Sequence, residues 1–579
     1  MDDDVVRRAG AWIEGDPDPA TRAELEGMLE ADDRDALAAR VDGALEFGTA
    51  GIRGVVGAGP LRMNRAVVIR TSRGLADRLL DEHGGGIVVV GHDARPDSER
   101  FAADAVGVLG AAGFDVHAFD GIVPTPLVAY AAKELAAVAA VVVTASHNPP
   151  EWNGYKVYDH RAVQIVPPTD SSIARAIDEV GPARQVPRRP GDRPADIDGV
   201  HVLGAEVFER YLEQVLAART ETDRAPLRIA HTPLHGVGGE PVRRALEAAG
   251  YEVHQVASQR EPDGSFPTVP FPNPEEPGVL DEVLALATEV DADLVLANDP
   301  DVDRLAVAVP DRNGGWLPLD GNQVGILLAD HLLTHGADLP TGAPIPTSGD
   351  RRSRQRLVVS SIVSTPMAAA IAAADGARHE VTLTGFKWIC NAALDLAETD
   401  GARLVLGFEE ALGYCVGEVV HDKDGINAAV AFADLAAAGT ARGTTVLGYL
   451  DELYEAHGRW ISALLSIVRS GPDGPAEIAA AMERIDIDRH PAAVAGRQVE
   501  SVVDLRGGAD QRPRWLPDDA VVELTFDGGR ALVRPSGTEP KLKIYVDVRA
   551  SSEGPTEEAL ADAARIAHDL ATFLGLAQS

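Results

Sequence analysis

The segment Asn298-Asp299-Pro300-Asp301-Val302-Asp303-Arg304 sets three carboxylates at alternating positions in a tight, proline-containing turn. Apolar residues lie close on both sides, so the carboxylates sit at the edge of a core, where they would repel one another unless a cation joined them. Oxygen-only donors suit magnesium, which keeps water or phosphate oxygens as its other ligands. A solvated acidic turn is the plainer alternative. The glycine and distal glutamate of a calcium-binding EF-hand loop are absent. A second segment, Thr144-Ala145-Ser146-His147-Asn148-Pro149-Pro150, leads on to Asn153-Gly154-Tyr155-Lys156. A serine at a strand end, beside a histidine and ahead of prolines, is held out of regular structure, which suits a nucleophile or phosphoryl carrier. A helix-capping serine in an ordinary turn would read the same.

A third group comprises Thr384-Gly385-Phe386-Lys387, Gly407-Phe408-Glu409-Glu410-Ala411-Leu412-Gly413 and Asp422-Lys423-Asp424-Gly425. Paired glutamates on a glycine-framed loop can accept hydrogen bonds from two adjacent sugar hydroxyls, and a nearby lysine can act as general acid or base. The acidic first turn of a helix is the alternative. In Arg534-Pro535-Ser536-Gly537-Thr538-Glu539-Pro540-Lys541 an arginine, hydroxyls, a glycine and backbone N–H groups make a phosphate cradle or a hairpin turn. The stretch Glu46-Phe47-Gly48-Thr49-Ala50-Gly51-Ile52-Arg53-Gly54 is glycine-rich with one arginine, a weak signal alone, and no strand is expected before it. Walker A, HExxH, CxxC and GxSxG patterns are absent.

The lysines point to these same loops. The chain has six, Lys133, Lys156, Lys387, Lys423, Lys541 and Lys543, and arginine supplies the rest of its 53 basic residues. All but Lys133 lie in or beside the loops above, although the background favours arginine. A compact ammonium able to exchange a proton is therefore required there. The net charge of -37 argues against nucleic acid and anionic membranes as partners, because both need a basic footprint. No apolar run reaches the roughly 20 residues of a membrane helix, and the acidic start is no secretory signal. Two cysteines make neither a disulfide framework nor a four-ligand zinc site, so a reducing cytoplasm is expected.

At 579 residues the chain is expected to hold about three to four domains. Residues 1–45 read as amphipathic helices packed on the first domain, one of them starting at Asp18-Pro19. Three later stretches each read strand, helix, strand: 86–90, 97–112 and 138–143; 227–230, 239–249 and 294–297; 357–362, 366–374 and 404–406. This alternation predicts α/β units with largely parallel sheets, and each last strand runs into one of the polar loops, at the end of the sheet where ligands bind. The stretches 181–199 and 262–277 read as solvated insertions. Strands near 459–468, 521–526, 531–534 and 541–548 with a helix at 556–573 predict a C-terminal α+β domain. The expected boundaries are 1–200, 201–318, 319–452 and 453–579.

Together the segments resemble the α-D-phosphohexomutase family: TASHNP around Ser146, DPDVDR at 299–304, FEEALG at 408–413 and RPSGTEPK at 534–541 stand in the family's order, over about residues 45–550. GTAGIRG, NGYKVY, TGFKWI and DKDG are similar to the branch of larger phosphoglucomutases and phosphopentomutases. The resemblance implies three similar mixed α/β domains plus a C-terminal α+β domain in a four-domain, heart-shaped molecule. It implies a cytoplasmic monomer or homodimer that interconverts sugar 1- and 6-phosphates, glucose first, with magnesium and a sugar bisphosphate such as glucose 1,6-bisphosphate as activator and intermediate. Residue by residue, it implies that Ser146 carries the phosphoryl group and that Asp299, Asp301 and Asp303 bind magnesium together with it. Arg53, His147, Lys156 and Lys423 would serve the reacting phosphate and proton transfer. Thr49, Arg304, Thr384, Lys387, Glu409 and Glu410 would contact substrate, and Arg534, Ser536, Gly537, Thr538 and Lys541 would grip the phosphate not in transfer. Ala411 departs from the serine that many glucose mutases of the family carry there, which leaves mannose and pentose phosphates as alternative substrates. A metal-dependent sugar phosphatase would need an activated water, and no second metal cluster is visible to supply one. A non-enzymatic sugar-phosphate sensor would not need both Ser146 and three metal carboxylates.

Overall fold

The computed structural model describes residues 2–48, 51–220, 222–336, 355–469, 471, 473–536, 540–550 and 556–576. The chain divides into two compact units, the first built from Met1–Leu319 with Ala411–Ala438, the second from Asp320–Gly336, Gly349–Glu410 and Gly439–Ser579.

The first unit opens with helices Asp2–Gly15, Pro19–Glu30 and Arg34–Val41. The second of these starts as its sequence dictates: the Asp18 side chain accepts from Ala20 N–H and proline takes the first helical turn. A six-stranded sheet follows, made of β1 (Ile52–Val55), β2 (Ile87–His92), β3 (Asp115–Ile122), β4 (Ala139–Val143), β5 (Trp152–Tyr158) and β6 (His201–Leu203), in the order β1-β5-β4-β2-β3-β6. The central strands β4, β2, β3 and β6 run parallel, while β5 is antiparallel to both β4 and β1. Val88, Val89, Val141 and Val142 are fully buried, as strands covered on both faces require. The next sheet has β7 (Arg228–Thr232), β8 (Glu252–Gln255), β9 (Leu294–Ala297), β10 (Ala306–Pro310) and β11 (Trp316–Leu319) in the order β11-β10-β9-β7-β8. Here too the core strands are parallel and the hairpin strands antiparallel. Both sheets are thus mixed, because β5 and β10 return directly from the polar loops instead of crossing over through a helix.

In the second unit β12 (Arg356–Ser361), β13 (Arg378–Thr382) and β14 (Arg403–Glu409) form parallel pairs, backed by helices Met367–Ala374 and Phe386–Asp400. The chain then re-enters the first unit with β15 (Gly413–Val416) and a helix starting at Gly425. It finishes with β16 (Arg459–Val468), β17 (Ala493–Val494), β18 (Arg497–Asp504), β19 (Val522–Phe526), β20 (Gly529–Pro535) and β21 (Lys541–Ala550), an antiparallel sheet against which the helix Thr556–Phe573 packs.

The stretches expected to be solvated insertions are partly buried. Ala183, Val186 and Ile197 lie in the core, and Arg189 N–H donates to Gly107 C=O. Phe266 and Val269 pack with Leu234 and Val279, and the Arg95 guanidinium lies over the Phe266 ring. Prolines and charges at their edges concealed the few apolar anchors within. The glycine-rich stretch runs into β1. A Cβ on Gly51, at φ +77, would collide with the Tyr155 carbonyl oxygen, so glycine is what lets β1 lie against β5 and deliver Arg53.

Candidate active site

In the first unit three polar loops converge. Ser146 follows β4 with φ 53, a left-handed conformation that costs a non-glycine residue of order 1–3 kcal/mol and persists only where the surroundings enforce it. Its N–H donates to Thr144 Oγ1 at 2.8 Å. Its carbonyl accepts from Arg95, which also donates to the carbonyls of Asn148, Pro149 and Trp152 at 2.6–2.9 Å. Arg95 is in turn fixed by Asp93, whose Oδ1 accepts from Arg95 N–H and Ser98 Oγ. One buried guanidinium thus clamps the whole serine loop. The Ser146 hydroxyl donates to Asp299 Oδ2 at 3.0 Å and lies 3.2 Å from His147 Nδ1. Burial, with Arg304 and Arg53 nearby, holds the His147 imidazole well below its ordinary pKa, so it is neutral. Arg53 donates to Asn148 Oδ1 at 2.7 Å from the side of β1.

The carboxylate loop follows β9, and its partners shape it. Val302 takes φ 65. Thr125 donates to Asp301 through both its N–H and its hydroxyl, at 3.0 and 2.8 Å. Arg304 N–H donates to Asp299 Oδ1, and Gly425 N–H to Val302 C=O. The Asn298 amide bridges Arg304 C=O and His231 Nε2. A Cβ on Gly236 would run into the Pro300 backbone. Asp299, Asp301 and Asp303 are 0%, 0% and 2% exposed, and each contributes one oxygen to a set within 4.8 Å of one another. Lys156 Nζ bridges Asp301 and Asp303 at 2.6 and 3.0 Å, and Lys423 reaches Asp303 at 3.2 Å.

These neighbours set the charges. Burial, with Asp303 and Asp301 beside it, pushes the Asp299 carboxyl well above the usual range. Burial, and for Asp301 the adjacent Asp303, would raise the other two as well, but Lys156 overrides this for Asp301 and holds it below the usual range. Lys156, Lys423 and Arg304 do the same for Asp303. Burial lowers Lys156, yet Asp301 and Asp303 outweigh it and keep the ammonium charged. Asp301 Oδ1 and Asp303 Oδ1 are buried with no hydrogen-bond partner among the described residues. Orphaned buried carboxylate oxygens are costly, and together with a hard, all-oxygen donor set they fit a magnesium ion.

The remaining expected residues belong to the second unit or lie outside the described residues. Gly385 N–H donates to Glu409 Oε1 at 2.6 Å, whereas Glu410 Oε2 accepts from Ser361 and Ser364. The glutamate pair, read from sequence as accepting from two adjacent sugar hydroxyls, turns to different protein partners: Glu409 is the last residue of β14 and Glu410 the first of the turn after it. Among the described residues Thr384 Oγ1 is buried without a hydrogen-bond partner, and Lys387 Nζ lies 5.8 Å from the Trp388 ring centre. Arg534 and Lys541 flank the hairpin between β20 and β21, where Ser536 N–H donates to Lys541 C=O. Thr49, Gly537 and Thr538 lie outside the described residues.

Sequence reasoning missed Arg95, Asp93 and Thr125. The signal was present in His92-Asp93-Ala94-Arg95, a charged turn directly after the apolar β2, the same topological position as the loops of Ser146 and Asp299. It also missed the supports of Lys423. Its neighbour Asp422 accepts from Tyr158 and Gln164, and Asp424 accepts from Tyr211, all across distances of 213 to 264 residues in sequence.

Four family profiles match the chain in order. They are phosphoglucomutase/phosphomannomutase alpha/beta/alpha domain I over residues 44–184, domain II over 209–314, domain III over 320–457 and the C-terminal domain over 477–568. A "Probable phosphomannomutase" of Haemophilus influenzae is 38% identical over 507 residues, 86% of this chain and 96% of its own. A "Probable phosphoribomutase" of Schizosaccharomyces pombe is 34% identical over 573 residues, 95% of each chain. The crystal structure of a phosphoglucomutase/phosphomannomutase family protein from Burkholderia thailandensis shares the fold, with a TM-score of 0.64 and 21% identity over 92% of this chain and 98% of its own.

Proposed function

Because the chain belongs to the phosphoglucomutase/phosphomannomutase family, we propose that this mutase moves a phosphoryl group between the 1-position and the terminal position of one sugar through phosphorylated Ser146 and a bisphosphorylated sugar. The observation that carries this reading is the strained, buried Ser146 hydroxyl on Asp299, in a carboxylate cluster that Lys156 and Lys423 only partly neutralise. Asp299, Asp301 and Asp303, with Ser146, are the residues that would hold magnesium, which supplies charge neutralisation for the transferring phosphoryl oxygens.

The chain's own groups do the rest. Arg95 and Thr144 hold the Ser146 backbone so that Oγ points at Asp299. Lys156 stays charged and offsets the negative charge of the phosphoryl group, as does Arg53, which spans to the same loop. Asp299 accepts a hydrogen bond from the Ser146 hydroxyl when the hydroxyl is free, with His147 Nδ1 also within hydrogen-bond distance of Oγ. In the first half-reaction a sugar hydroxyl oxygen attacks phosphorus as the bond from Ser146 Oγ to phosphorus breaks; the sugar's proton passes through a group of the site to Oγ, with Lys423 a candidate for the relay, and leaves Ser146 as the free hydroxyl. In the second, Oγ attacks the phosphate at the other end of the sugar, that sugar O–P bond breaks, and the serine proton passes back to the sugar oxygen. The sugar must turn over between the two. Thr384, Lys387, Glu409 and Glu410, together with Arg304, are assigned to substrate contacts, and Arg534, Ser536 and Lys541 to the phosphate not in transfer.

Glucose 1-phosphate is the proposed first substrate. A second reading, ribose 1-phosphate, is favoured by the engagement of Glu410 with Ser361 and Ser364, which removes part of the reason for glucose, and by the full-length likeness to a probable phosphoribomutase. A coupled assay on glucose, mannose and ribose 1-phosphates, with saturating magnesium and catalytic bisphosphate, ranks kcat/KM. A ribose or mannose value above that for glucose replaces the substrate. No turnover of any of the three, with no phosphate on the Ser146 peptide by mass spectrometry, overturns the mutase reading.

A further inference from the structure

Far along β3 from the serine loop, a different donor set is assembled. Asp115 and His117 stand two apart on β3 and so share one face of the strand, and His201, the first residue of β6, is the register partner of His117. His201 Nε2 lies 3.1 Å from Asp115 Oδ1, and His117 Nε2 lies 3.6 Å from Asp115 Oδ2. The two imidazoles stack with centroids 4.6 Å apart and planes 19° from parallel. One donor atom from each residue falls within 4.8 Å of the others. Among the described residues neither ring, nor the Asp115 carboxylate, has another hydrogen-bond or ion-pair partner.

We propose that Asp115, His117 and His201 bind a late first-row divalent cation, such as zinc or nickel, at a second metal site separate from the aspartate triad. Metal–ligand bonds of about 2.0–2.2 Å in a tetrahedron set neighbouring donors about 3.3–3.5 Å apart, and the two N···O separations of 3.1 and 3.6 Å bracket that value. Two imidazoles with one carboxylate select zinc, nickel or copper over magnesium, so the sites do not compete for the same ion. The side chains of His201 and Asp115 are 63% and 49% exposed and that of His117 14%, which leaves an open path and a fourth position for water. Neither ring donates its other nitrogen to a protein acceptor, so this is an exchangeable site and not a deeply held one. The bound ion would tie β6 to β3. Only three register pairs make that junction, just before the helix Ala205–Ala217 begins the next domain.

The test keeps magnesium in excess, so that the aspartate triad is occupied, and titrates zinc against a chromophoric chelator while the melting temperature is followed in parallel. Wild type takes up one zinc per chain. His201→Ala and His117→Ala each weaken that binding by roughly tenfold or more, and the zinc-dependent rise in Tm disappears in His201→Ala. His201 is an exposed edge residue, so its variant folds, and mutase activity is the same as wild type in magnesium alone. The zinc equivalent also persists in Asp301→Asn, which separates this site from the triad. Equal zinc binding by wild type and both histidine variants, or no zinc binding by wild type above that of a variant carrying both His117→Ala and His201→Ala, overturns the proposal and leaves an ion pair only.

Discussion

The serine and aspartate loops of the first unit and the segments of the second unit proposed to face sugar and phosphate differ in how they treat charge. In the first, Asp299, Asp301, Asp303 and Lys156 are at most 5% exposed, and each is braced by groups that are themselves buried. In the second, Glu410 and Lys387 are half-buried, Glu409 is buried, and among the described residues Arg534 pairs with Asp519 at 3.9 Å. Fixed charges in a dry site act strongly on a reacting group and need no reorganisation. Partly solvated charges act weakly, but they can release a ligand and take it back in another orientation. On the proposed roles, chemistry would be concentrated where desolvation is greatest, and recognition where it is least. If so, substitutions in the first region lower kcat and those in the second raise KM.

Ser146→Ala is expected to have the largest effect, abolishing turnover and the phosphate on the Ser146 peptide. Intact-mass and peptide spectra of active wild-type enzyme with phosphate elsewhere would break the comparison at its centre. Asp301→Asn is expected to lower kcat roughly a hundredfold or more, with excess magnesium restoring only part of the loss. An unchanged magnesium dependence in that variant would remove the metal from the aspartate loop. Arg95→Lys sharpens the comparison, because it leaves every substrate contact in place. A lysine cannot serve four carbonyls from one planar fork. The expected result is about a tenfold fall in kcat at nearly constant KM, read in single-turnover transfer from phosphorylated enzyme. A KM effect alone would make the clamp a scaffold without bearing on Ser146. Arg534→Gln tests the other side: KM should rise by roughly tenfold with kcat held within about threefold. A pure kcat effect would refute the division of labour.

Much of this was legible in sequence. The Ser146 and Asp299–Asp303 loops were found because each follows a continuous apolar strand, Ala139–Val143 and Leu294–Ala297, and strands buried on both faces announce their ends clearly. Four of the six antiparallel strands of the last sheet were legible from simple patterning, with 459–468 expected and Arg459–Val468 found, whereas β17 and β18 were not expected. What escaped was long-range. Arg95 meets Ser146 across 51 residues and Thr125 meets Asp301 across 176, and no local spacing encodes such pairings. What the Glu409-Glu410 pair holds within the protein was not legible either: Glu409 accepts from Gly385 N–H and Glu410 from Ser361 and Ser364, residues 24 to 49 positions away in sequence.

The smallest expected effect concerns the ground beneath the metal loop. His231 is fully buried under Asn298, donating from Nε2 to Asn298 Oδ1 at 3.0 Å and accepting at Nδ1 from Gln255 at 2.9 Å. That pairing needs the neutral ring, and burial lowers its pKa to about 4. The unfolded chain binds a proton near the ordinary value of about 6.5. As pH falls from about 6.5 toward 4, protonation therefore favours the unfolded state first. The stability that neutral His231 maintains is complete above about 6.5 and is lost progressively down to about 4, of order 3 kcal/mol in total. His231→Gln keeps an amide for Asn298 but cannot take up this proton. Turnover at pH 7 should stay within about twofold of wild type, since the residue touches no reacting group. Between pH 7 and pH 4.5 the variant should lose less Tm than wild type does, whatever its absolute Tm, when both are measured by the same fluorescence melt. Parallel Tm–pH curves would show that the loop's footing does not depend on a neutral His231, and that the aspartate loop is held by Thr125, Arg304 and Gly425 alone.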